Sequence, residues 1–249
     1  LRFEHILQDI QTLNERALRG ELDVTAVSAH AYVYLADQYA LLPCGASMGD
    51  GYGPLVVARH PMTLDQLRAV VIAVPGKLTS AFLALQLCIG RFEFRVMPFE
   101  AILDAVVNGQ ADAGLLIHEG QLTYGDAGLH CVVDLGVWWK EHTGGLPLPL
   151  GNNAVKRSLG RPLLSKIARV LRRSIEAGLA NRRPALEHSL QWGRGLEIPT
   201  ADTFVGMYVN DLTLDLGDRG REGLRRFLAE ARQKDFIPRD VNVDFVEYE

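Results

Sequence analysis

An imidazole stands directly after an apolar run in Leu115-Leu116-Ile117-His118-Glu119, and two hydroxyls follow a glycine turn in Pro75-Gly76-Lys77-Leu78-Thr79-Ser80. A histidine at the mouth of a buried strand can accept a proton near neutral pH, because its ordinary pKa lies there. It can equally be a structural histidine donating to a nearby carbonyl, and the residues alone leave both readings open. The second stretch reads as a strand, a glycine turn and a helix start. The first amides of a helix have no intrahelical acceptor, so such a junction can hold an anion. The alternative is a plain N-cap made by Thr79 or Ser80. The spacing is not that of a P-loop, since G-x-x-x-x-G-K-[ST] is missing. A third candidate, Ser28, lies near the end of the segment Asp23 to Ala31, with His30 two residues further on.

Other chemistries find less support. The remaining histidines, His5, His30, His60, His130, His142 and His188, show no H-E-x-x-H or other metal spacing, so no metal site is expected. No G-x-S-x-G elbow points to a serine nucleophile. Trp138-Trp139 can line an aromatic pocket, although tryptophans more often fill cores. The 3 cysteines, Cys44, Cys88 and Cys131, form no C-x-x-C pair and read as free thiols in a reducing compartment, the cytoplasm.

Elements that would position these groups follow from the pattern. Phe3, His5 and Leu7 alternate with Arg2, Glu4 and Ile6, which predicts a short strand; Asp9 then caps a helix carrying Ile10, Leu13, Ala17 and Leu18, and Gly20 ends it. Asp23 to Ala31 reads as a buried strand. The same grammar recurs with a helix over Phe99 to Val107, a stop at Gly109, and a strand from Ala113 to Ile117. Gly20-Glu21-Leu22-Asp23 and Gly109-Gln110-Ala111-Asp112 thus form a weak internal repeat of G-x-x-D before a strand. Between the copies lie the glycine-rich turn Met48 to Gly53, a strand Pro54 to Ala58, a strand Ala69 to Val74, and a helix Ala81 to Leu87. The tail carries helical stripes at Ile167, Val170, Leu171, Ile175 and Leu179, and at Leu224, Phe227, Leu228 and Ala231. Asn210 to Gly217 reads as loop or edge strand.

Strand-helix alternation in two similar halves predicts an α/β protein of two lobes, each built on a mainly parallel sheet. Ligands settle beyond the carboxyl ends of such strands, where Ser28, Thr79, Ser80 and His118 are all placed. The 249 residues carry 30 Asp and Glu against 26 Lys and Arg, which leaves no basic footprint for nucleic acid. The longest apolar run, Ala69 to Val74, is far below the ~20 residues of a membrane span. The first residues show no basic stretch, apolar core and small-residue cleavage site, so no intact secretory signal is expected within them.

Gly114-Leu115-Leu116-Ile117-His118-Glu119, with Thr123-Tyr124 just after, resembles the signature of the 1,4-dihydroxy-6-naphthoate synthases, menaquinone enzymes of the futalosine route. Further stretches are similar to the same family in order along the chain: Thr12 to Leu18, Gly53 to Arg59, Val74-Pro75-Gly76, Val133 to Gly136, Gly145 to Gly151, and Tyr208-Val209-Asn210. The resemblance implies a type 2 periplasmic-binding-protein-like α/β fold with an interlobe cleft and two crossover strands. One lobe would comprise residues 1–58 and 152–249, the other 59–151.

The resemblance also implies a cofactor-free lyase that splits a small-molecule substrate, cyclic dehypoxanthinyl futalosine, into 1,4-dihydroxy-6-naphthoate and dihydroxyacetone. His118 would be the proton acceptor. Ala26, Val27 and Ser28 would hold substrate from one lobe, and Thr79, Ser80 and Ala81 from the other through helix amides. Thr79-Ser80 replaces two threonines of the relatives and keeps a hydroxyl. Relatives begin with a unit of the form S-P-C-P-N-D-T-F, so the numbering is expected to start partway through a longer protein, after one βα unit of about 30 residues. Two other readings stay open, a solute-binding protein for a small anion and the sister dehydratase acting on chorismate. The second lacks the His-Glu pair. Monomer and homodimer are both compatible with the sequence.

Overall fold

A computed structural model describes residues 1–118, 120–192 and 198–248. Glu119, half of the expected His-Glu pair, lies outside them. The nine described strands are β1 (Val24–Ser28), β2 (Tyr39–Leu41), β3 (Ser47–Gly49), β4 (Leu55–Ala58), β5 (Ile72–Val74), β6 (Phe94–Val96), β7 (Ala113–Leu116), β8 (His130–Asp134) and β9 (Leu148–Lys156). They form two sheets. In the first, β9 is the hub on which β1, β2 and β3 all pair antiparallel. The second runs β6-β5-β7-β4-β8, parallel only where β5 meets β6 and β7.

Mainly parallel sheets were expected, and this is a correction. Parallel neighbours need a helical crossover between them. β4 instead enters the second sheet straight from β3 of the first through residues 50–54, and β9 returns to the first sheet after the helix Leu135–Thr143. Each crossing strand therefore lies antiparallel among strands of the sheet it joins.

Three local expectations also change. Residues 1–8 form no strand, and Leu1, Phe3, Ile6 and Leu7 are exposed, since alternation without a partner strand leaves the backbone unpaired. The strand from Asp23 stops at Ser28, and His30 sits in the helix Ala29–Leu35. Asn210 begins a short helix, Asp211–Leu214, rather than a loop or edge strand: its side chain accepts from Leu212 N–H while the Thr213 hydroxyl accepts from Asn210 N–H.

The expected caps form. Asp9 Oδ1 accepts from Thr12 N–H at 3.0 Å at the start of the helix Ile10–Leu18. Gly20 and Gly109, the stops of the two G-x-x-D copies, have φ of 66° and 72°, a region that favours glycine. The glycine turn after β3 is tied down at Asp50, whose carboxylate takes two bonds from Arg219 at 2.7 and 2.8 Å and pairs with Lys140 at 3.1 Å. Trp139 is fully buried against Phe227 and donates to Pro147 O, while Trp138 stacks on His142. The tryptophan pair therefore serves the core. Among the described residues no helix is long and apolar enough to cross a membrane, and all three cysteines are free thiols.

Candidate active site

A cavity of about 320 Å³ opens between the end of β1 and the start of the helix Ser80–Ile89. Of the expected site residues, Ala26, Ser28, Thr79, Ser80 and Ala81 line it together. Val27 points elsewhere and is fully buried in the main core. Its register partner on β9 is Asn152, while Ser28 pairs with Gly151.

Ser28 is held by a residue of the first helix. Asn14, fully buried, accepts from Ser28 N–H at 2.9 Å and donates to Ser28 Oγ at 2.9 Å. Asparagine is a poor helix former, so its place in the middle of Ile10–Leu18 is explained by this pair rather than by propensity. Asn14→Ala leaves the Ser28 amide buried without its acceptor. It should cost about 2 kcal/mol of stability, read as a lowered urea midpoint at constant slope.

The opposite wall is the helix start. Thr79 Oγ1 accepts from Phe82 N–H at 3.2 Å and donates to Gly76 O at 2.9 Å. The Ser80 hydroxyl donates to Leu150 O on β9. Thr79 is therefore the plain N-cap of the helix, while Ser80 ties the helix start to β9.

His118 is not among the described residues that line the cavity, although its neighbour Ile117 is. Its Nδ1 accepts from Gly120 N–H at 3.0 Å, and Nε2 lies 3.0 Å from Phe99 O. A neutral ring with its proton on Nε2 satisfies both contacts. The structural reading of this histidine, a donor to a carbonyl, thus describes the observed contacts.

Several lining residues escaped the reading of the sequence. Asn152 is 2% exposed, and neither atom of its carboxamide has a hydrogen-bond partner. Gln121, Phe204 and Tyr208 also face the cavity, with Tyr208 Oη donating to Gln121 Oε1 at 2.6 Å. Of these, Tyr208 falls in the stretch Tyr208-Val209-Asn210 that resembles the family, but nothing in the sequence brings it to Gln121, 87 residues away. Among the described residues no cluster of three or more His, Cys, Asp or Glu side chains could hold a metal ion.

His30 lies under this site, and its Nδ1 is buried without a partner. Burial pushes its imidazole down to about 4, opposed in part by the backbone of Thr79 and Lys77. In the unfolded chain the same ring titrates at about 6.5. Below that pH the unfolded state takes up a proton that the folded state refuses, so stability held above pH 6.5 is lost as the pH falls toward 4. The component is about 3 kcal/mol. Urea denaturation at pH 7 and pH 4 should show it, and His30→Gln should remove that part of the slope.

A family model described as menaquinone biosynthesis matches residues 1–233. The chain belongs to the menaquinone biosynthesis family. Two members named 1,4-dihydroxy-6-naphthoate synthase are similar to it. The one from Streptomyces coelicolor is 40% identical over 92% of this chain and 83% of its own length. The one from Thermus thermophilus is 40% identical over 93% and 84%. A crystal structure of an Archaeoglobus fulgidus protein shares 45% identity and superposes with a TM-score of 0.89, covering 94% of this chain and 87% of the other. The alkanesulfonate-binding protein SsuA of Xanthomonas axonopodis, at 12% identity, TM-score 0.68 and coverage of 94% and 83%, shows the wider fold. The menaquinone biosynthesis family thus has here the type 2 periplasmic-binding-protein fold expected from its motifs.

Proposed function

We propose that this protein is a 1,4-dihydroxy-6-naphthoate synthase, a carbon-carbon lyase that converts cyclic dehypoxanthinyl futalosine to 1,4-dihydroxy-6-naphthoate and dihydroxyacetone. The observation that carries the reading is the 40% identity, across more than nine-tenths of the chain, to two proteins of that name. The lobes of this reading are 1–58 with 152–249 and 59–151; β4, at the end of the first stretch, pairs within the second sheet, and the 151/152 boundary falls inside β9. Substrate lies in the cavity between Ser28 and the first turn of the helix Ser80–Ile89, held by the Ala26-Val27-Ser28 backbone and, opposite it, by Thr79, Ser80 and Ala81; Thr79 N–H already donates to Gly76 O at 3.4 Å, so the amides offered are those of Ser80 and Ala81. A helix N-terminus favours a carboxylate there by its unpaired N–H groups and its dipole.

His118 accepts the proton that starts the fragmentation. For this a ring nitrogen must exchange its contact with Gly120 N–H or Phe99 O for the substrate, a movement of one side chain at the end of β7. No bound cofactor takes part, and the reaction belongs to the futalosine route in the cytoplasm. Incubating protein dialysed against a chelator with cyclic dehypoxanthinyl futalosine should yield the naphthoate by chromatography. Unchanged substrate after prolonged incubation would overturn the reading.

A further inference from the structure

One carboxamide connects the cavity's aromatic side to the strand end that carries His118. Gln121 is 6% exposed, and both of its side-chain atoms are engaged: Nε2 donates to Leu116 O, the last residue of β7, at 3.2 Å, and Oε1 accepts from Tyr208 Oη at 2.6 Å. Its backbone N–H donates to His118 O at 2.9 Å, and the preceding Gly120 N–H donates to His118 Nδ1. Tyr208 is in turn fixed from its own side. Its ring meets Tyr52 edge-on at 5.7 Å and Phe204 at 5.2 Å, and Tyr52 Oη accepts from Asn210 Nδ2 at 3.1 Å.

A glutamine in a largely apolar wall is costly unless both atoms are paired, so the loss of either partner reorients it. Burial pushes the Tyr208 phenol up, which keeps the hydroxyl protonated as the donor this contact needs. Gln121 N–H and Gly120 N–H both bond to His118, so the placement of Gln121 bears on that of His118.

We propose that Gln121 and Tyr208 are a positioning pair in the cavity wall that sets the orientation of the His118 imidazole. The proposal rests on His118 being the base of the lyase reaction, and neither residue exchanges a proton with substrate. Misplacing a catalytic group by about 1 Å costs up to about 100-fold in rate.

Tyr208→Phe keeps the ring in the cavity wall and deletes only the donor, and Gln121→Met keeps the length and deletes both bonds. Each should lower kcat about tenfold with KM within about twofold, and the double variant should fall no further, because both break one link. Long-range 1H–15N NMR of His118 in substrate-free protein supplies a readout apart from turnover. The wild type should show a single tautomer protonated on Nε2, and Tyr208→Phe should show averaging of two tautomers. Turnover within twofold of wild type, additive losses in the double variant, or unchanged His118 resonances in Tyr208→Phe would each overturn the positioning role. Absence of wild-type turnover would overturn the lyase reading instead, and the His118 resonances would then decide the pair by themselves.

Discussion

His118→Ala is expected to lower turnover of cyclic dehypoxanthinyl futalosine by about 10²–10⁴-fold, the range that a positioned general base contributes. Substrate affinity should change little, because the side chain stands beside the cavity while Ser28 and the helix Ser80–Ile89 line it. The fold should survive as well. The imidazole contacts Phe99 O, Gly120 N–H and the Phe99 ring, all within the second sheet's own neighbourhood. Equilibrium binding together with steady-state kinetics would separate the two effects. A variant that turns over within threefold of wild type would remove His118 from the mechanism.

The second large effect concerns stability. A Cβ on Gly136 would sit 1.9 Å from Tyr52 O and 2.6 Å from Gly53 N, both backbone atoms of the first crossing. Neither can turn aside as a side-chain tip would. At this point the crossing presses on the start of the helix Leu135–Thr143, where Leu135 N–H donates to Pro54 O and Asp134 caps Gly136 N–H. Gly136→Ala should therefore cost roughly 3 kcal/mol or more, at the upper end of overpacking effects, and depress the melting temperature. Gly178 is the matched control. It lies inside the helix Arg161–Ala180 with nothing within 4 Å of its Cβ position, so Gly178→Ala should be neutral or stabilising by up to about 1 kcal/mol. Equal melting temperatures for the Gly136 variant and the wild type would contradict the close approach.

What could be read from the residues was mostly local chemistry. Asp9 was recognisable as a cap, as was one of Thr79 and Ser80, of which Thr79 serves; Gly20 and Gly109 were recognisable as helix stops, and Ala113 to Ile117 as a buried strand, which ends at Leu116, because each depends on neighbours within a few positions. The failures have the same origin. Leu212 and Leu214 alternate like a strand, yet the reciprocal bonds of Asn210 and Thr213 wind that segment into a helix. Phe3 to Leu7 alternate too, but no described strand pairs with them.

Strand direction was not legible, since a crossing strand and one preceded by a helix share the same apolar pattern. The candidate site divides in the same way. Ser28, Thr79 and Ser80 could be placed from strand and helix ends. Asn14, Gln121, Asn152 and Tyr208 depend on contacts between distant segments that no spacing announces. Asn14 and Tyr208 left traces, both lying in stretches that resemble the family, and Asn14 is also a poor helix former in a helix interior.

The periplasmic-binding-protein fold is shared with proteins that only bind, so the number of naphthoate molecules formed per protein molecule bears most directly on the proposed activity. With cyclic dehypoxanthinyl futalosine in large excess, each protein molecule should complete many turnovers, each releasing one naphthoate and one dihydroxyacetone. One tightly held, unreacted substrate per protein molecule would contradict it.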